Sequence, residues 1–328
     1  MITNFLVLAA VASSGTFASR DGLHKELKNL STASEGKVGV CALDALDVDP
    51  VCVHGTEPFA LQSVVKLIVS AAVLDAVDAG TIKWDETILV KPEDASPGPR
   101  DFADLVRKQG QYPATVEELI RRSIVDSDST SVDVLIKRLG GVVSVQAFLK
   151  KKQITGIRVD RMERDLQAEF SGLSWQPSYA DPGLFKAAVE AVAADKRQKA
   201  LEAYLKDPRD TSTPVAMVKF LKGLASGQIL SETSTKKLMS ILEKTATGKD
   251  RLRGGLPKSW RIGHKTGTSA SYKGRTATTN DVGILTAPDG GTVAIAVFVS
   301  DSMRNDQERA AVIAKASQIV TSAYQGRK

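Results

Sequence analysis

Strand-like segments stand only near the two ends of this chain, and helical periodicity fills the stretch between them. Lys37 to Leu43 and Val51 to Val53 read as an N-terminal hairpin. Trp260 to Lys265, Asp281 to Thr286 and Thr292 to Ser300 are rich in β-forming residues, and Pro288-Asp289-Gly290-Gly291 makes a turn between the last two. Strands so far apart in sequence imply one sheet built from both termini, with the middle of the chain forming a separate helical lobe. The expected architecture is α/β of the α+β kind: an antiparallel sheet flanked by helices (about 19–62 and 245–328) and an all-helical lobe (about 63–244). A cleft between the two lobes brings distant segments together.

Local signals fill in the elements. Leu23 to Leu30 reads as a short amphipathic helix. An apolar helix from Ser63 stops at Gly80. Lys91 to Tyr112, with Pro92, Pro97, Gly98, Pro99 and Gly110, reads as loop-rich. Thr115 and Glu118 suit a capping box for a helix through Val125, and Thr130 to Leu139 ends at Gly140-Gly141. Another helix is expected from Leu184 to Leu205. The last helix, about Asp306 to Tyr324, places Ile313, Ala316, Ile319, Val320 and Ala323 on one face.

The 328 residues are 42% hydrophobic and 25% charged, which suits a globular domain with a sizeable core. A net charge of +6 spread among 38 acidic residues, without basic runs interleaved with aromatics, argues against nucleic-acid binding. Residues 1–18 read as a secretion signal: Ile2 to Val11 is mostly apolar, and small residues follow up to Ala18. That run is too short to span a bilayer, and nothing later reaches such a length. Export to a periplasm is expected, with residues 19–328 as a single domain. In that oxidising setting, Cys41 and Cys52 in adjacent strands suit either a cross-strand disulfide or two buried thiols. His24, His54 and His264 form no ligand cluster, so no metal site is expected.

Chemistry first shows at Ser63 and Lys66. Three residues apart on a helix, they share one face, and the helix N-terminus favours an oxyanion. A serine becomes a nucleophile when a neighbour removes its proton, and a neutral lysine can do so. A lysine working as a base near neutrality has its pKa brought from ~10.4 to about 7, at a cost of about 4 kcal/mol. The spacing alone selects nothing, because Ser34…Lys37 and Ser234…Lys237 share it without an apolar helix behind them. Three further segments single the pair out. They are Ser127-Asp128-Ser129 between two helices, the charged stretch Arg158 to Gln167 with Glu163 as an isolated candidate base, and Lys265-Thr266-Gly267-Thr268-Ser269 closing a strand.

In this order and spacing the segments resemble the class A serine β-lactamases, within the superfamily of penicillin-binding serine acyl-enzymes. Asp210 to Pro214 and Arg251 to Pro257 resemble family segments as well. The resemblance implies that Ser63 attacks the lactam carbonyl, with its own N–H and that of Thr268 as oxyanion hole. It implies Lys66, or Glu163 through water, as base for acylation. Ser127 then relays a proton to the lactam nitrogen, and Lys265 holds Ser127. Lys265, Thr266, Gly267 and Thr268 bind the substrate carboxylate, and Glu163 activates the hydrolytic water. No cofactor is implied, the partner is a small β-lactam, and a monomer is expected.

Four departures from the family pattern bear on function. Ser129 stands where the family usually has an asparagine that contacts both the substrate amide and the lysine; serine is shorter, so a shift in substrate preference or rate is expected. Gln167 replaces the asparagine that helps hold the hydrolytic water, with one more methylene to place. Arg161 and Asp210 suit the family's loop-closing ion pair, yet 46 residues separate Glu163 from Asp210. The insert, about 168–207, is read either as a packed extra helix or as a wall reshaping the cleft. The strand after Lys-Thr-Gly lacks an arginine many members keep, and Arg251 is expected to supply that cation. Gln62, Ser269 and Ala270 leave no place for the active-site disulfide of one carbapenem-hydrolysing group. Two other readings stay open: a D-alanyl-D-alanine peptidase, which lacks the glutamate loop, and a β-lactam receptor that is acylated without release.

Overall fold

A computed structural model describes residues 17–98 and 101–326. Helix α1 (Arg20–Ala33) starts at Ser19, whose Oγ accepts the Gly22 N–H, and buries Leu23 and Leu27. It leads into β1 (Lys37–Asp44), β2 (Val51–Val53) and the short β3 (Phe59–Ala60). A 3-10 turn at Gln62–Val64 then opens α2 (Val65–Asp78), which is buried continuously from Val65 to Leu74. Such a helix has no polar face because it is packed from all sides as the axis of the helical lobe.

Around it stand β4 (Thr87–Val90), α3 (Asp101–Gln109), β5 (Tyr112–Thr115), α4 (Val116–Val125), α5 (Ser129–Leu139) and α6 (Val142–Lys151). Next come α7 (Glu163–Phe170), α8 (Pro182–Glu190), α9 (Ala194–Lys206), β6 (Thr211–Ser212), α10 (Pro214–Ala225) and α11 (Glu232–Glu243). The chain returns to the sheet with β7 (Arg261–Thr268), β8 (Ser271–Tyr272), β9 (Arg275–Thr286) and β10 (Thr292–Ser302), and closes with α12 (Asp306–Ala323).

The main sheet is antiparallel with order β2-β1-β10-β9-β7, and β8 pairs with β9. Both termini therefore build it, as the sequence implies. α1 and α12 pack on one face, where Leu27, Val40, Ile295, Ile313 and Val320 share a core. α10 and the helical lobe cover the other.

Several local expectations are corrected. The stretch read as loop-rich contains α3, whose Phe102, Ala103 and Val106 are buried; its flanking prolines and glycines hid the periodicity. β4 and β5 form a small extra sheet. Thr115 caps α4 through the Glu118 N–H, but the Glu118 carboxylate turns to Tyr112 and Arg122, so the box is only half made. β9 starts six residues before the expected Asp281, because Thr276 to Asn280, polar in sequence except for Ala277, are buried by tertiary packing.

Most of the expected leader lies outside the described residues. Its last two positions are described: Phe17 is buried in the α1–α12 core, and the Ala18 N–H donates to the Ala323 carbonyl at 2.8 Å. Cleavage after Ala18 would remove Phe17 from that packing.

Cys41 and Cys52 face each other directly in the β1–β2 register and are joined by a disulfide. It closes a short loop, and loss of both sulfurs in a Cys41→Ala/Cys52→Ala variant should cost about 2–3 kcal/mol of stability. Reversible denaturation of the two proteins checks this; equal midpoints would show that strand pairing alone holds the hairpin.

Candidate active site

The turn that presents Ser63 is fixed from three sides. Gly267 of β7 lies so close that a Cβ there would sit 2.4 Å from the Leu61 carbonyl oxygen, so only glycine lets the strand and the turn meet. Asn280 of β9 donates through Nδ2 to the carbonyls of Ala60 at 2.8 Å and Leu61 at 3.2 Å. Gln62 adopts φ of 48°, a left-handed conformation costing about 1–3 kcal/mol, and its Nε2 donates to the Tyr204 hydroxyl at 2.6 Å. Ser63 itself is half-buried.

Lys66, one turn on, is fully buried. Its Nζ donates to Ser63 Oγ at 3.0 Å, to the Ser127 carbonyl at 2.5 Å and to Ser129 Oγ at 3.1 Å. These three acceptors match the three N–H bonds of an ammonium. The Ser127 carbonyl reaches it because Ser127 is itself left-handed, with φ of 57°. Ser127 Oγ lies 3.5 Å from Lys66 Nζ and accepts from Lys265 Nζ at 2.9 Å, so one hydroxyl sits between two amines. Burial, and then the charge of Lys66, hold the Lys265 ammonium well below the usual lysine range.

Glu163 opens α7 and is buried beside this cluster. Its Oε2 accepts from Ser129 Oγ at 3.1 Å and lies 3.8 Å from Lys66 Nζ, whereas Oε1 has no protein hydrogen-bond partner. The glutamate is placed by Asp133, which sits on the buried face of α5. Asp133 accepts the Glu163 N–H at 2.8 Å, the Arg164 N–H at 3.0 Å and the Ser96 hydroxyl at 2.6 Å, and pairs with the Arg164 guanidinium. Burial pushes the Asp133 carboxyl up, opposed by Ser96 and Arg164. The expected loop closure is present: Arg161 Nε meets Asp210 at 2.6 Å, and its NH1 reaches Glu169 and Asp207.

The residues expected at the substrate carboxylate lie together at one end of β7. Thr266 is buried and Thr268 exposed at the open end of β7. Arg251, from another segment, donates to Thr268 Oγ1 at 2.7 Å and to the Asn280 carbonyl at 2.9 Å. Burial pulls its guanidinium down from its ordinary value, against the charge of Asp281. Gln167 is half-buried, and its Nε2 donates to Gln62 Oε1 at 3.3 Å.

Ser129, expected at the substrate amide, is 2% exposed and held between Lys66 and Glu163. Gly98 covers it: a Cβ on that glycine would fall 2.6 Å from Ser129 Oγ. Of the decoy pairs, Ser234 binds Asp78 while Lys237 lies over Trp84, and Ser34 ends α1.

The insert is two helices instead of one. The chain breaks at Ala191–Ala193, where Ala193 is extended. α9 packs: Leu201 and Tyr204 are buried with Leu166, Phe170 and Ala277, joining the glutamate helix to β9. α8 has no buried residue, and its Pro182 and Phe185 line a cavity together with Ala103 and Arg107 of α3. The bland reading of the insert therefore holds for α9 and not for α8.

Sequence reasoning missed Asp133, Asn280, Tyr204 and Gly98. Asp133 had a usable signal, an acid inside the apolar face Val132 to Ile136 of a helix. The other three depend on contacts between distant segments.

A serine hydroxyl beside a buried lysine, a second serine between two lysines, and a carboxylate with one free oxygen define a serine hydrolase centre in the cleft of this two-lobed fold. Comparison with known proteins agrees. The sequence profile of the β-lactamase enzyme family matches residues 22–324. β-Lactamase VEB-1 of Pseudomonas aeruginosa is 28% identical over 313 residues, covering 94% of this chain and 92% of the relative. The extended-spectrum β-lactamase PER-1 of the same organism is 29% identical over 322 residues, covering 98% and 92%. A β-lactamase from Chitinophaga pinensis superposes with a TM-score of 0.75 at 27% identity, covering 92% of this chain and 99% of that one. A reconstructed ancestral class A β-lactamase gives 0.74 at 31%, covering 92% and 100%. The chain belongs to the β-lactamase enzyme family, as a class A serine enzyme.

Proposed function

We propose that this β-lactamase opens penicillin- and cephalosporin-type lactams through a covalent ester on Ser63, released by water that Glu163 activates. One observation carries the reading: Lys66 Nζ lies 3.0 Å from Ser63 Oγ while Glu163 reaches the same amine through Ser129. Ser63 Oγ attacks the lactam carbonyl as its proton passes to Lys66, present as the free amine. The backbone N–H groups of Ser63 and Thr268 receive the oxyanion. The C–N bond breaks as Ser127 gives its proton to the nitrogen, and Lys66 returns one to Ser127. In the second step, water gives a proton to Glu163 and attacks the ester carbonyl; the bond to Ser63 Oγ then breaks as that proton passes from Glu163 to Ser63 Oγ, which frees the acid product and restores both groups. Glu163 Oε1, free of protein partners, suits that water, with Gln167 beside it. Lys265, Thr266, Thr268 and Arg251 bind the substrate carboxylate.

The reading extends to export into a periplasm, which the apolar run Ile2 to Val11 and the Cys41–Cys52 disulfide support, and to action as a monomer. A chromogenic cephalosporin tests the activity. Steady turnover is expected; a stoichiometric burst that stops would instead identify a receptor, and absence of reaction with lactams alongside cleavage of D-alanyl-D-alanine peptides a peptidase.

The depressed Lys265 sets a pH dependence. As pH rises, Lys265 loses its proton earlier than an ordinary lysine, the positive charge facing the carboxylate falls, and KM rises at a pH below ~10.4. Lys265→Arg, which stays charged, should flatten that alkaline rise whatever it does to kcat. KM measured against pH for both proteins checks it; parallel curves would remove Lys265 from carboxylate binding.

A further inference from the structure

We infer that Ser129 is a proton relay between Lys66 and Glu163, the group through which the lysine becomes a base. The inference rests on the acyl-enzyme reading above. Ser129 Oγ accepts from Lys66 Nζ at 3.1 Å and donates to Glu163 Oε2 at 3.1 Å. The direct Lys66–Glu163 separation, 3.8 Å, is too long for a hydrogen bond. A hydroxyl can take one proton and give up another in the same event. An asparagine amide at that place can hold both neighbours but does not pass a proton on so readily.

The surroundings favour transfer. Ser129 is sealed by Gly98, whose backbone approaches so closely that no side chain fits there, so the hydroxyl has little access to bulk water. Lys66 already donates to the Ser127 carbonyl and Ser63, and its third N–H lies nearer Ser129 Oγ, at 3.1 Å, than Ser127 Oγ, at 3.5 Å. The charged groups facing this amine are Glu163 from α7, Lys265 from β7 and Asp128 at the start of α5. Lys265 is joined to it through Ser127 Oγ, and of the two carboxylates only Glu163 is joined to it by a bridging hydroxyl.

The balance closes. Lys66 ammonium gives a proton to Ser129 Oγ as the Ser129 proton moves to Glu163 Oε2, leaving a neutral amine and a neutral carboxylic acid. After acylation the same steps run backwards, returning Glu163 to the carboxylate that deacylation requires. Ser129 thus serves both half-reactions without touching substrate.

The test is the acylation rate, followed by stopped flow with a chromogenic cephalosporin from acid to alkaline pH. Ser129→Ala should lower it about 10²-fold near neutrality, the range of a lost proton-transfer group, and the deficit should shrink in alkaline solution, where hydroxide takes over the missing transfer. Ser129→Thr, which keeps the hydroxyl, should keep the shape of the parent profile whatever its absolute rate. A Ser129→Ala deficit that is equal at every pH, or no deficit, overturns the relay in favour of a packing role. Parent protein that turns over substrate without ever carrying its mass removes the acyl-enzyme reading itself, and the relay with it.

Discussion

Glu163→Ala, mixed with a penicillin, is expected to accumulate as a protein heavier by the mass of the intact lactam. Ester hydrolysis should slow by about 10²–10⁴-fold, the span associated with a lost general base. The geometry makes the two steps separable. Oε2 is committed to Ser129, and through it to Lys66, while Oε1 is free. Removing the carboxylate therefore also slows acylation, but that loss should fade as pH rises. The loss in hydrolysis should not fade, since nothing else in the site positions a base for water. Mass spectrometry of the quenched mixture, with burst kinetics at two pH values, reads both. A Glu163→Ala protein that releases product at the parent rate would show that another group activates the water.

The second large effect is expected at Arg161, far from the reacting atoms. This arginine is buried and gathers Asp210, Glu169 and Asp207, and Asp210 in turn accepts the N–H groups of Asp160 and Arg161. Arg161→Ala leaves Asp210 buried without its cation, a change that typically costs about 3–5 kcal/mol. Because Asp210 ties down the segment that leads into α7, hydrolysis of the ester should suffer more than its formation. Arg161→Lys should restore little, since one ammonium does not span three carboxylates as a guanidinium does. Denaturation midpoints and the ratio of burst to steady rate measure the two effects. An Arg161→Ala protein as stable as its parent would mean that the loop is held by Asp133 and Arg164 alone.

Much of the site was legible because most motifs mark the start of an element. Ser63 opens α2, Ser127 precedes α5, Glu163 opens α7 and Lys265 lies within β7, so polar chemistry interrupts an otherwise regular pattern. What stayed illegible depends on burial of polar residues by segments distant in sequence. Thr276 to Asn280 carry no apolar alternation, yet they extend β9 because α9 and α12 cover them. Asn280 looks like a loop residue and instead fastens the turn before Ser63. Ser129 shows the same limit in the site itself. Its position in the motif suggested substrate contact, but the approach of Gly98 over it comes from the fold, and turns the hydroxyl inward.

The insert between Glu163 and Asp210 has a seam. A Cβ on Gly172 would lie 3.3 Å from Val192 Cγ1 and 3.6 Å from the Lys196 carbonyl, so the chain leaves the domain and comes back to almost the same point. Between these positions runs an excursion that includes α8, while α9 beyond the seam carries Leu201 and Tyr204 into the core. The docked half keeps Gln62 and the catalytic turn in place through Tyr204, and the excursion before the seam braces the glutamate segment from the other side, with the Trp175 ring 5.1 Å from the Arg164 guanidinium.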